Sequence, residues 1–307
     1  MSTEPVDLSR ESNDVGTVVD RAAKWIFFSC ALVTVLTTLA IIAVLVDGAI
    51  DFFAEVSIVE YLTGTEWNPR DAANPDFGVL PLVWGTMVIT VGSALIAIPV
   101  GTLTAIYLAE YADERVRRSV KPTLEVLAGI PTIVYGFFAL SFITPIIQFF
   151  HPDVGTFNAL SGAIVVGIMI IPMVSSISED AMSSVPDSLR NAAYGLGATK
   201  FEVSTQVVLP ASLSGILAAY VLAISRAIGE TMAVTLAVGM LPQITASPFA
   251  EMQTMTAYMV EIGTGDASVG SIGYMSLFAI GLTLFVMTFL MNVGSMWIRS
   301  RYREEYQ

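Results

Sequence analysis

The chain has 307 residues, 54% of them hydrophobic and only 13% charged, with a mean hydropathy of +0.71. A soluble globular protein carries about twice that share of charge, so the composition excludes an ordinary water-solvated fold and makes the bilayer the main solvent. Net charge is −13, with 11 Arg and 3 Lys, an acidic, Lys-poor balance that suits salty surroundings and contains no basic stripe for nucleic acid. The lone Cys30 excludes a disulfide framework within the chain or a Cys-based metal site, and the lone His151 leaves no His cluster to hold a metal.

In chain order, residues 1–22 are polar and rich in Ser, Asp and Glu, which predicts a disordered tail. A helix needs roughly 20 apolar residues to cross the hydrocarbon core. Six stretches qualify, at about 25–46, 79–108, 124–147, 159–177, 211–241 and 273–298. The first exceeds the apolar run of a secretion signal and no small-x-small cleavage site follows, so it reads as a retained anchor. Loop 47–78 carries seven acidic residues against Arg70 alone and would repel a free anion.

Lys and Arg are retained on the cytoplasmic side of a bilayer. Residues 1–24, loop 109–123, loop 178–210 and the basic C-terminus 299–307 together hold 12 of the 14 basic residues. Both termini are therefore expected in the cytoplasm, with loops 47–78, 148–158 and 242–272 outside. Trp25 and Trp297 near the inner ends, and Trp84 near an outer end, fit the interfacial aromatic belt.

Segment 178–210 is too polar to cross the membrane and too patterned for a slack linker. Pro186 and Asp187 supply a helix start. Leu189, Ala192, Ala193 and Leu196 recur at helical spacing, and Gly197 suits the left-handed end of a helix. Thr199 with Glu202 three residues on forms a capping box for a second helix. The pattern predicts a short amphipathic elbow. Its charges are balanced, unlike a Lys/Arg-rich helix lying on lipid. A connector or a helix that docks in a groove of another protein both remain open on pattern alone.

NAAYGLGATKFEVSTQVVLP, residues 191–210, resembles the EAA loop of ABC transporter permeases, with Ala192, Ala193, Gly197, Leu209 and Pro210 matching in spacing. Asn191 stands where that family usually has glutamate and Val207 where isoleucine is usual. AEYA after the second span, GIPTIVYGFFAL, and above all SRAIGETMAVTLAVG resemble the PstC-type phosphate permease subunits over roughly residues 80–296. The PstA type shares RAIGET but is less similar after that glutamate.

The resemblance implies an all-α membrane protein with six transmembrane helices, a MetI-like type I importer bundle. Its permease core would span 79–298, with a coupling loop at 178–210. It implies a PstA-type partner permease, two copies of an ATP-hydrolysing subunit seated on the elbows, and an external phosphate-binding protein. ATP and magnesium would belong to the hydrolysing subunit, with no cofactor on this chain. Leu189, Asn191, Ala192, Ala193, Leu196 and Gly197 would contact that subunit. No GxxxxGK[ST] run occurs, so the chain has no P-loop of its own, and no nucleophile elbow or zinc signature suggests an enzyme.

Ser225–Val234 places Arg226 and Glu230 near the centre of the fifth apolar stretch. An arginine there costs about 2.5–3.5 kcal/mol on insertion scales, which asks for a partner or a purpose. In an unbroken helix, residues four apart share a face, so Glu230 is expected to neutralise Arg226. One reading is a structural pair. The other makes Arg226 part of an anion path, since a planar guanidinium suits phosphate oxygens and stays charged when desolvated. Glu230 would then yield as the anion passes, and Ser225 and Thr231 would add hydroxyl donors. Pro99, Pro131, Pro145 and Pro172 interrupt helical hydrogen bonding, and Gly129 with Pro131 is expected to line or hinge the passage. Two rivals are a permease for sulfate or molybdate, which Arg226 would serve equally, and an ion-coupled secondary carrier. The latter predicts inverted repeats and a free intramembrane acid, and neither is evident.

Overall fold

A computed structural model describes residues 14–69, 75–265 and 267–301. Among them, five helices are long and apolar enough to cross a membrane, or six if one bent pair counts as a single span. The expected all-α bundle is present, and several boundaries differ for identifiable reasons.

Helix α1 runs Asp14–Glu55, so residues 14–22, expected in a polar tail, are helical. Adding a residue to an existing helix gains one hydrogen bond for one residue fixed, and the anchor propagates past its apolar stretch. Residues 1–13 of the expected tail lie outside the described residues. At the other end α1 continues because Ala49 and Phe52 are buried. The described part of the region expected as loop 47–78, residues 47–69 and 75–78, is folded. It holds α2 (Ile58–Thr63) and a two-stranded antiparallel pair, β1 (Trp67–Asn68) with β2 (Asp76–Phe77). Phe52, Tyr61, Trp67 and Phe77 meet edge to face, and Trp67 meets Tyr258 of α13 (Met255–Thr264) at 5.0 Å. This aromatic cluster joins the end of α1 to the start of α14 (Ile272–Arg301), where the Tyr61 hydroxyl meets Thr283 Oγ1 at 2.8 Å.

Helix α3 (Leu80–Ile106) ends in a π-helical turn, Tyr107–Tyr111. Pro99 lies inside α3 and Pro172 inside α7 (Ala159–Ser183) without ending either helix. These two helices form the centre of the bundle. They approach closely where Gly101 faces Val174 and Gly92 faces Ala163; a Cβ on either glycine would overlap its neighbour.

The expected span 124–147 is two elements. Pro131 lacks an N–H and biases the preceding residue away from the helix. The chain therefore breaks at 129–131 into α4 (Glu114–Ala128) and a span, Thr132–Phe150. That span comprises α5 (Thr132–Phe138), a π-helical turn Ala139–Ile143, and α6 (Thr144–Phe150), with Pro145 in the first turn of α6.

The expected span 211–241 is also interrupted. Beyond α7 come α8 (Asp187–Gly195), α9 (Lys200–Glu202), a π-helical turn Val203–Val208, and α10 (Leu209–Ala211). The chain then bends by 70° into α11 (Leu213–Ile228). After a break at 229–231 comes α12 (Met232–Val238), which ends at Gly239 with φ +94°. The segment that follows returns across the start of α7, where the Ala159 and Leu160 amides donate to the Ala250 and Pro248 carbonyls.

Candidate functional site

Arg226 occupies the last turn of α11 and Glu230 lies two residues past its end. The helix that would have put them on one face stops between them, and the expected Arg226–Glu230 ion pair does not form. Each charge instead sits at a helix end that favours it. The C-terminal end of a helix is negative and suits the Arg226 cation, while the N-terminal end is positive and suits a carboxylate. Glu230 Oε1 accepts the Ala233 amide at 3.1 Å and so caps α12. Its backbone carbonyl accepts the Thr256 hydroxyl at 2.7 Å, tying the break to α13. Glu230 is 6% exposed.

Arg226 is exposed on the isolated chain and, among the described residues, has no salt bridge. Its neighbour Ser225 donates to Asn292 Oδ1 of α14 at 3.3 Å, and the Thr231 hydroxyl turns back to the Gly229 carbonyl at 3.1 Å. The Tyr135 hydroxyl donates to the Leu127 carbonyl at 2.8 Å, bridging the 129–131 break. Helix α5, which starts at this break, packs on α12, which starts at the other: a Cβ on Gly136 would lie 3.3 Å from Ala233 Cα.

Gly129 closes α4 in an ordinary right-handed conformation, and a Cβ there would meet only normal contacts. The tight glycine of GIPTIVYG is Gly136, whose Cβ would press on Leu236 of α12 at 2.9 Å. Pro131 starts α5.

The elbow follows its local sequence. Leu196 ends α8, and Gly197 takes φ +88°. The Ala198 and Gly197 amides donate to the Ala193 and Tyr194 carbonyls at 3.1 and 2.9 Å, the paired bonds of a Schellman end. Thr199 and Glu202 form the expected capping box. These bonds to the Thr199 amide and hydroxyl hold the Glu202 carboxyl below its usual range. Leu189 and Ala193 turn toward the bundle, while Asn191 and Ala192 are exposed and Leu196 is 91% exposed.

Two charge networks near the elbow are absent from the sequence reading. Glu179 of α7 has a fully buried side chain and pairs with Arg117 and with Lys121 Nζ at 2.6 Å, both on α4. Lys121 also meets Asp180 at 2.5 Å. Burial alone would pull the Lys121 ammonium down, but hydrogen bonds to Asp180 and Glu179 outweigh it and hold the pKa above the usual lysine value. The second network centres on Arg190 of α8. Its Nη2 donates to Glu110 Oε1 at 3.1 Å and to the Met182 carbonyl at 2.8 Å. Its Nη1 donates to the Val185 carbonyl and, at 3.4 Å, to Asp187. A polar residue at the end of an apolar run, such as Glu110 or Glu179, was the available signal; its partner was not readable from spacing.

Among the described residues no group of His, Cys, Asp and Glu is arranged to hold a metal ion.

Residues 97–304 match the family described as binding-protein-dependent transport system inner membrane component. The chain is 37% identical over 295 residues to the probable ABC transporter permease protein YqgH of Bacillus subtilis, covering 95% of this chain and 94% of that protein. It is 38% identical over 250 residues to the phosphate transport system permease protein PstC of Mesorhizobium japonicum, covering 75% of each. A bacterial ABC transporter involved in the import of alginate superposes with TM-score 0.64 at 14% identity, over 94% of this chain and 99% of that one. The MetNI methionine ABC transporter in an inward-facing conformation superposes with TM-score 0.55 at 16% identity, over 74% and 94%. At those identities the two structures speak for the fold alone, while the sequence relatives cover most of the chain. The chain belongs to the binding-protein-dependent transport system inner membrane components and is an ABC importer permease of the PstC type.

Proposed function

We infer that this chain is the PstC-type transmembrane subunit of an ATP-driven phosphate importer. It would pair with a PstA-type permease to enclose the path and receive phosphate from an external binding protein. Two copies of an ATP-hydrolysing subunit, one on each permease's elbow, would drive it. ATP and magnesium belong to that subunit in this reading, and this chain binds no cofactor. The clustering of 12 of 14 basic residues supports a reading in which both termini and the elbow lie in the cytoplasm.

The observation that carries the reading is the exposed Arg226 guanidinium, without an ion-pair carboxylate among the described residues, at the end of a broken helix near a second break. Broken helices place backbone irregularity where it lines a cavity rather than lipid. A guanidinium without an ion-pair partner is available to an oxyanion, to which its planar fork offers two parallel donors. Ser225 and Thr231 flank it with hydroxyls. Glu230 contributes by fixing the start of α12 and so the position of the break. Gly129 and Pro131 mark the second break, whose helix α5 packs on α12. On the elbow, the exposed Asn191, Ala192 and Leu196 are offered to the ATPase, while Leu189, Ala193 and Gly197 set the shape.

The test is ATP-dependent uptake by the reconstituted four-component complex. Phosphate enters, excess sulfate does not compete, and Arg226→Ala abolishes entry while the complex still co-purifies with its ATP-hydrolysing subunit. Sulfate competing as well as phosphate would move the substrate to another tetrahedral oxyanion, and loss of the complex along with uptake would return Arg226 to a packing role.

A further inference from the structure

The AEYA motif at 109–112 closes the second span, and neither the passage nor the ATPase contact uses it. In the structure its two polar residues face the elbow. Glu110 receives Arg190 of α8, and the Tyr111 ring lies under Lys200 of α9, 5.0 Å from ammonium to ring centre. Arg190 and Lys200 are the only Lys or Arg in segment 178–210. Both cations of the elbow therefore turn back onto two consecutive residues at the end of α3.

We propose that Glu110 and Tyr111 are the receiver of the coupling elbow, and that the Glu110–Arg190 pair is a strut that makes α3 follow any displacement of α8. Glu110 and Arg190 are positioning residues in this scheme, acting through the helices they join. Helix α8 has no buried residue, so apart from partial packing by Leu189 and Ala193 its firm link to the bundle is Arg190. That side chain is only 14% exposed and Glu110 only 5%, so solvent and salt screen the pair weakly. The same guanidinium takes the Met182 and Val185 carbonyls at the end of α7, so one residue of the elbow grips both central helices. The Lys200–Tyr111 contact adds a second, weaker hold on the same terminus. Glu110 lies in a π-helical turn, a distortion found often at functional positions.

A plain packing role would hold the elbow in shape; a strut also carries motion, and the two separate experimentally. The inference rests on the importer reading above, so the test has one arm that needs phosphate transport and one that does not. In the reconstituted full complex, Glu110→Gln keeps the size of the side chain and removes its charge. The expected result is a complex of normal stoichiometry with basal ATP hydrolysis retained. Stimulation by phosphate-loaded binding protein and phosphate moved per ATP should both fall about tenfold. The exchanged pair Glu110→Arg with Arg190→Glu should recover part of that loss, since the carboxylate at 190 cannot donate to the Met182 and Val185 carbonyls. In the second arm, spin labels at the exposed Ser188 and Leu103, in a Cys30→Ser background, report the distance between α8 and α3. The distribution should be narrow in the parent and broad in Glu110→Gln. Unchanged coupling with an unchanged distance, or uptake and hydrolysis falling together as the complex dissociates, would overturn the strut. A parent complex that moves no phosphate would sink the importer reading alone, since the distance arm still decides the strut.

Discussion

The chain places charge against its bundle in two ways, and the contrast is instructive. At the 229–231 break, Arg226 and Glu230 are four residues apart and do not pair; each is accommodated by the end of its own helix. Near the elbow, Glu179 and Glu110 are buried and firmly paired, with partners 62 and 80 residues away. Sequence proximity predicted the pair that is absent and missed the pairs that are present. Pairing at i and i+4 requires an unbroken helix, whereas buried carboxylates take whatever cation the fold brings to them. Among the described residues the Arg226 guanidinium has no ion pair, whereas the network near the elbow joins α4 to α7 and α8 to the end of α3.

The sharpest way to break this contrast is at Arg226. If the guanidinium meets the anion, its hydrogen bonds to a charged ligand are worth about 1.5–3 kcal/mol each, and Arg226→Ala should lower uptake on the order of 100-fold or more. Arg226→Lys should fall between, since it keeps the charge and loses the fork. Uptake assays on equal amounts of assembled complex decide this.

The next effect should be on stability. Arg117→Ala combined with Lys121→Ala leaves Glu179 buried without a cation, a change that costs about 3–5 kcal/mol. Thermal unfolding in detergent should show a clear drop, larger than for either single change because each cation covers for the other. An unchanged midpoint would mean that the network is no firmer than a surface pair.

At the elbow, Gly197→Ala forces a Cβ into the left-handed region at φ +88° and should cost about 1–2 kcal/mol locally. The check is faster hydrogen exchange at the Gly197 and Ala198 amides, with the membrane helices unaffected. The smallest effect is expected for Glu230→Gln. The amide oxygen can still accept the Ala233 N–H, so the loss of stability should stay below about 1 kcal/mol. Uptake falling as far as in Arg226→Ala would show instead that the carboxylate charge acts on Arg226, and the contrast between the two regions would fail.

Much of the molecule was legible because it depends on local chemistry. Apolar run length announced the membrane class, and Gly197, Thr199 and Glu202 announced the elbow's turn and cap through bonds that close within a few residues. Pro131 marked a break correctly, yet the same stretch was read as one span because Leu124, Val126 and Leu127 keep hydropathy high across it. The break after Ile228 carries no proline at all, and nothing in GIPTIVYG announced that Gly136 makes the close approach to α12.

The sequence by itself determined the solvent, four of the six spanning segments to within their ends, the elbow and the family. These follow from composition and from interactions within a single turn of helix. Only the tertiary structure decided where the fifth apolar stretch stops being a helix, which charges neutralise one another, and what AEYA touches. Those outcomes depend on helix ends, packing and partners brought together across 60 or more residues, and nothing in local periodicity encodes which distant cation will arrive beside a buried carboxylate.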